Sequence, residues 1–164
     1  MTPITAPFQL HTDRVRPEWI DNNGHMNMGY YMVVFDYATD DFLDACGLTR
    51  AHREAEQVST FALEAHINYL QEVKEGDPLV FRTILLGHDA KRIHYMHEML
   101  HGTEGFRAAT NELMSLHVSR LTRRAAPMAE SVQERLAAIM ESHRTLTPPP
   151  EAGRHIGLGQ RRKN

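Results

Sequence analysis

The sequence predicts an α+β domain in which one long helix is wrapped by a curved antiparallel sheet, with a short helix near the C-terminal end. Three observations lead there. Apolar residues between positions 27 and 45 recur at helical spacing. From Phe61 onward the period changes to two, in four runs separated by short turns. Beyond Pro127 the helical period returns. A helix with one apolar stripe and a sheet with one apolar face bury them against each other in two layers.

Taken in order, Phe8 to about Val15 alternates as a first strand, and Arg16 to Gly24 has loop chemistry. From Asn27 to Ala45, Met28, Tyr31, Met32, Phe35, Ala38, Phe42 and Leu43 follow the i, i+3, i+4, i+7 pattern of a helix. Asp36, Asp40 and Asp44 fall on another face, and Gly47 is a suitable stop. Leu48 to Ser59 has no clear period. Phe61, Leu63, Ala65, Ile67 and Tyr69 then alternate with Ala62, Glu64, His66 and Asn68. Turns at 74–78, 87–90 and 102–105 separate strands at Leu79 to Leu86, Arg92 to His101 and Phe106 to about Leu121. Such tight turns make antiparallel hairpins. In the last helix Ser131 and Glu134 have capping-box spacing, and Val132, Leu136, Ile139 and Met140 form its apolar face. The prolines at 148–150 cannot continue it. The domain is therefore expected over 1–146, and 147–164 as a Pro-rich, then basic, tail lying over the surface or over a neighbouring copy.

A length of 164 residues suits one domain with a sizeable core. With 41% hydrophobic residues and a formal charge of −3, the chain is neither disordered nor a basic nucleic-acid binder. No apolar run approaches the roughly 20 residues that span a bilayer, and the first residues lack the pattern of a signal peptide. Cys46 is the only cysteine, which excludes an internal disulfide and fits a reducing cytoplasm. The expectation is a cytoplasmic protein with no nucleic-acid or membrane partner. One helix leaves part of a single sheet and its edges uncovered, and a second copy commonly covers them. A homodimer or homotetramer is therefore expected. The eleven histidines raise the question of a metal. His94 and His97, three apart on a strand, face opposite sides, and His97 and His101 are too far apart to share an ion easily. No metal or cofactor is expected.

The segment from Asp21 to Asn27, Asp-Asn-Asn-Gly-His-Met-Asn, precedes the long helix. The first turn of a helix has unpaired N–H groups and a partial positive end. A thioester carbonyl there would find donors for the oxyanion that forms on attack. Asp21 could attack that carbonyl or take a proton from water, and Gly24 lets the backbone approach a ligand. The same residues are also ordinary turn and cap residues.

Asp21-x-x-Gly24-His25-x-Asn27, followed by a helix and antiparallel strands, resembles the 4-hydroxybenzoyl-CoA thioesterase-like branch of the hotdog superfamily. The resemblance implies that Asp21 is the nucleophile or general base and that the backbone N–H near Met28 is the oxyanion donor. It implies that His25 and Asn27 shape the site, and it matches Asp36 to an acidic position of variable role. Glu64-Ala-His-Ile67, Glu72-Val-Lys-Glu-Gly76, Asp89-Ala-Lys-Arg-Ile-His94, His97-Glu-Met99, Ala109-Thr-Asn-Glu112, His117-Val118 and Gly153-Arg154 are similar to the betainyl-CoA thioesterases of carnitine breakdown. Those also occur fused to L-carnitine dehydrogenase. The implied substrate is an acyl-CoA, betainyl-CoA above all, hydrolysed without a cofactor.

A betainyl group carries a quaternary ammonium, which binds among aromatic faces and carboxylates. Trp19, Tyr30, Tyr31 and Phe35 cluster near the motif, although Tyr31 and Phe35 at helical spacing also read as core. Glu112 shares a strand face with Ala108, Thr110, Met114, Leu116 and Val118, the face expected to meet the helix. A carboxylate there needs a partner or a function, and a buried ion pair is the plain alternative. Glu64 is a further substrate-binding candidate on the polar face of its strand. Lys91 and Arg92 sit at a turn where they could meet CoA phosphates, or be simply solvated. Two other functions fit less well: a hotdog acyl-CoA hydratase, whose usual motif has a different Asp–His spacing, and a non-catalytic acyl-CoA-binding domain. No Gly-x-Ser-x-Gly element supports an α/β-hydrolase.

Overall fold

The computed structural model describes residues 2–158, so the basic cluster at 159–164 lies outside the described residues. The elements are β1 (Thr12–Arg14), α1 (Met28–Ala45), α2 (Arg50–Ala55), β2 (Val58–Tyr69), β3 (Pro78–His88), β4 (Arg92–His101), β5 (Arg107–Ser119), β6 (Arg124–Ala125) and α3 (Glu130–His143). The strands form one antiparallel sheet in the order β1-β3-β4-β5-β2, with β6 added to β5.

The helix α1 lies over β4. Phe42 meets Tyr95 at 4.8 Å between ring centroids, and the Thr39 hydroxyl is 3.0 Å from His97 Nε2. Tyr31, Phe35, Ala38, Phe42 and Leu43 are buried as their spacing requires. Met28 and Met32 are not: they are 67% and 39% exposed, on the flank that faces the β2 edge of the sheet rather than its centre. Gly47 ends the helix at φ +93°, a left-handed conformation that costs glycine little. Val132, Leu136 and Ile139 of α3 join Phe42, Leu85 and Ile93 in one core cluster. No helix among the described residues is long and apolar enough to cross a membrane.

Several expectations need correction. The first strand is short: only Thr12–Arg14 pairs with β3, and Phe8 makes a lone bridge to Thr83. The stretch without a clear period holds α2, capped by Thr49. The capping box does not form: Ala129 precedes α3 and makes no side-chain cap. The alternation along β2 breaks at a bulge between Ala62 and Glu64. One extra residue reverses the facing of everything before it, so Phe61 pairs with Leu116 on the outer face while Ala65, Ile67 and Tyr69 face the helix side. Glu112 also faces outward. Its neighbour Asn111 pairs with His97 and reaches Met32 of α1, so the adjacent residue points to the other face.

The C-terminal helix also fastens the N-terminal segment. His143 Nδ1 accepts the Leu85 N–H at 3.0 Å, and its Nε2 donates to the Thr5 carbonyl at 2.8 Å. Beyond α3 the chain returns over the outer face, where Glu151 pairs with Arg107 and the Gly153 N–H donates to Glu112 at 2.7 Å.

Candidate active site

The loop before α1 folds through its own short polar residues. Asp21 Oδ1 accepts the Asn23 N–H at 2.8 Å, and the Asp21 carbonyl accepts the Gly24 N–H at 3.0 Å. Gly24 adopts φ +79°, and nothing lies within 4 Å of where a Cβ would stand. Glycine is therefore needed for conformation, not for space. Two backbone bonds fix the loop: Asn27 N–H to the Trp19 carbonyl and Met26 N–H to the Val73 carbonyl, each 2.9 Å. Asn27 then caps α1, its Oδ1 accepting the Gly29 N–H at 2.9 Å.

This loop forms one wall of a hollow of about 360 Å³, and the chain just after β2 forms the other. Asp21, His25 and Met28 meet Tyr31, Tyr69 and Glu72 there. His25 Nδ1 lies 3.0 Å from Glu72 Oε2. Tyr31 and Tyr69 stand edge to face at 5.2 Å, and the Tyr69 hydroxyl donates to the Met28 carbonyl at 3.2 Å. Burial pushes the Tyr31 phenol above its ordinary pKa, and the Glu72 charge adds to that. Among the described residues, no hydrogen bond engages the Met28 N–H or Asp21 Oδ2. Asp21 and Met28, one with an unengaged carboxylate oxygen and the other with an unengaged N–H at the helix start, thus line one hollow, a set of groups that acyl transfer can use.

Residues 15–136 match the thioesterase-like superfamily. The chain belongs to this superfamily. It is 46% identical over 144 residues to the betainyl-CoA thioesterase of Pseudomonas aeruginosa, covering 88% of this chain and 91% of that one. It is 35% identical over 153 residues to an L-carnitine dehydrogenase/betainyl-CoA thioesterase of Rhizobium meliloti, covering 93% of this chain and 31% of the longer relative. A Staphylococcus aureus protein solved in complex with CoA superposes with a TM-score of 0.87 at 29% identity, covering 96% of this chain and all of that one. The fold is the hotdog fold, and the protein is a thioester hydrolase. That result decides against the hydratase and the non-catalytic binder.

The remaining site candidates of this thioesterase-superfamily chain do not gather in the hollow. Trp19 is buried and stacked on Tyr30 at 5.9 Å, with the Arg16 guanidinium 4.7 Å from its ring centre. Phe35 is fully buried against Phe81 and His97. Glu64 and Glu112 line a second hollow on the outer face with His94 and Arg154. There Glu112 Oε1 meets His94 Nε2 at 2.7 Å. Lys91 and Arg92 flank the β3–β4 turn, which Asp89 organises. Asp89 accepts the Lys91 and Arg92 backbone N–H groups and the Arg92 guanidinium, and these donors lower its pKa to about 2. Asp36 is exposed on α1; partial desolvation, then the Asp40 charge, raises its pKa.

Sequence reasoning gave no role to Tyr69 or Glu72. Tyr69 ends β2 and Glu72 lies three residues beyond it, and their nearness to Asp21 depends on the Met26–Val73 backbone bond, which no local pattern announces.

Proposed function

We propose that this protein hydrolyses betainyl-CoA to betaine and CoA, with Asp21 as nucleophile or general base. The observation that carries the chemistry is that Asp21 and Met28 line the same hollow, with Asp21 Oδ2 and the Met28 N–H unengaged among the described residues. Attack on the thioester carbon converts the carbonyl to an oxyanion, which accepts the Met28 N–H. Collapse of this intermediate breaks the C–S bond and releases CoA as its thiolate. If Asp21 activates water, its carboxylate takes the water proton and the acid product forms in that step. If Asp21 attacks directly, a mixed anhydride forms and water cleaves it.

Asn27 caps the helix and so orients the donor, while His25, tied to Glu72, shapes the wall. Trp19, Tyr30, Tyr31 and Phe35 support this wall by packing. Lys91 and Arg92 are the cations assigned to the phosphates of CoA; the solved relative that holds CoA supports this class of ligand. The acyl group is assigned from the 46% identity to a betainyl-CoA thioesterase over nearly the whole of both chains.

The proposed working form is a cytoplasmic homodimer or homotetramer. Strand β2 is an edge of the sheet, and Phe61 and Leu63 on it are each 53% exposed. An exposed apolar edge strand commonly pairs with another copy.

A thiol-release assay across a panel of short acyl-CoAs tests the substrate. Betainyl-CoA should show the highest kcat/KM. Faster hydrolysis of an uncharged or acidic acyl group, by tenfold or more, would overturn this choice. Light scattering that finds an active monomer at micromolar concentration would overturn the oligomer.

A further inference from the structure

We propose that Tyr69 and Glu72 receive the cationic end of the acyl group and so set the preference of this site for a quaternary ammonium; the proposal rests on the betainyl-CoA reading. Its starting point is the size of the substrate. Betainyl is trimethylglycyl, so its nitrogen stands only two bonds of about 1.5 Å each from the carbonyl carbon. Whatever recognises the ammonium must therefore line the hollow in which the carbonyl reacts. Glu64 and Glu112, on the other face of the sheet, do not.

The hollow at Asp21 has what a quaternary ammonium needs. Such a cation donates no hydrogen bond and is held by aromatic faces and by carboxylate charge. Tyr69 is 48% exposed, and its hydroxyl anchors it to the Met28 carbonyl. The perpendicular contact with Tyr31 fixes the ring's other neighbour. The acidic side chains lining the hollow are Asp21 and Glu72, His25 lies against Glu72, and among the described residues no lysine or arginine lines it. A concave site lined by one sign of charge favours the opposite charge and disfavours its own.

Two carboxylates are needed because one of them reacts. Asp21 loses its charge when it attacks or takes a proton, so a lasting counter-charge must come from elsewhere. Glu72 supplies it. Its Oε2 meets His25, and no hydrogen bond among the described residues engages its Oε1.

The test compares betainyl-CoA with 3,3-dimethylbutanoyl-CoA, which has the same shape with carbon in place of the charged nitrogen. The quantity read is the ratio of their kcat/KM values, which removes any loss common to both. Glu72→Gln should lower the ratio about tenfold, and Tyr69→Leu several-fold, the range expected of a desolvated cation losing a partner. Tyr69→Phe should keep the ratio, because it retains the ring and loses only the hydroxyl. Should Tyr69→Leu fail to fold, Glu72→Gln decides alone, since Glu72 lies at the surface. An unchanged ratio in Glu72→Gln, with both substrates slowed alike, would overturn the proposal and leave Glu72 as a positioning residue for His25. A wild-type protein that hydrolyses other acyl-CoAs but not betainyl-CoA would instead overturn the substrate reading beneath it.

Discussion

The hollow at the start of α1 and the outer face of the sheet each hold a carboxylate, and they hold it differently. Both oxygens of Glu112 are occupied, one by His94 and one by the Gly153 N–H. Beside it Arg107 bridges Glu98 and Glu151. These carboxylates are held by partners within the chain. In the hollow, Asp21 has one oxygen tied to the Asn23 N–H, and among the described residues its other oxygen has no donor and the Met28 N–H no acceptor. Polar groups that the chain leaves unpaired at a helix start are open to water or to a ligand. The comparison sets a carboxylate held at both oxygens against one held at a single oxygen.

The largest effect that could break this comparison is at Asp21. Asp21→Asn should lower kcat by ~10²-fold or more while the melting temperature changes little, because asparagine can still accept the Asn23 N–H. Thiol release and a thermal melt measure both; near-normal turnover would move the chemistry to another residue. Glu112→Ala should behave in the opposite way. Leaving His94 and the Gly153 N–H without their acceptor should destabilise the fold by about 1–3 kcal/mol, seen as a lower melting temperature. The preference for a cationic over a neutral acyl group should not change.

A third comparison uses the face of the sheet beneath α1. Burial lowers the pKa of His97 from 6.5 to about 3. Below 6.5 the unfolded chain takes up a proton that the folded chain refuses. The contribution of His97 is therefore whole above 6.5 and is lost as the pH falls toward 3, by about 1.4 kcal/mol per pH unit. Burial lowers the pKa of His143 as well, and pushes the same way. Melting temperatures measured from pH 7 to pH 5 should fall, and His97→Leu should flatten the slope. The smallest effect is expected at the β3–β4 turn. Lys91→Ala should raise KM for acyl-CoA a few-fold at low ionic strength, and the difference should shrink in high salt as phosphate attraction is screened.

Regular periods made most of the fold legible. The helix α1 begins within one residue of its expected start, and β4 has its expected bounds, since both carry an unbroken pattern between clear turn residues. Features fixed by a partner were not legible. Alternation from Phe8 to Val15 looks like one strand, but only three of its residues find a pairing partner of β-strand length. The bulge at Leu63 leaves no mark in the alternation, yet it moves Phe61 to the other face. The facing of Glu112 was misread for a related reason. Both sides of β5 carry apolar residues, Ala109 and Leu113 on one and Met114 and Leu116 on the other, so composition alone does not say which side meets α1. The candidate site divides in the same way. Asp21 to Asn27 is contiguous and could be read as a unit, whereas Tyr69 lies 41 residues from the Met28 carbonyl that it contacts.

The histidine that ties Thr5 to Leu85 has a consequence for synthesis. The bond to Thr5 spans 138 residues and the bond to Leu85 spans 58. Contacts so distant in sequence form slowly, because a large loop must close before they are gained. The Thr5 carbonyl therefore lacks its partner until α3, far along the chain, has been made.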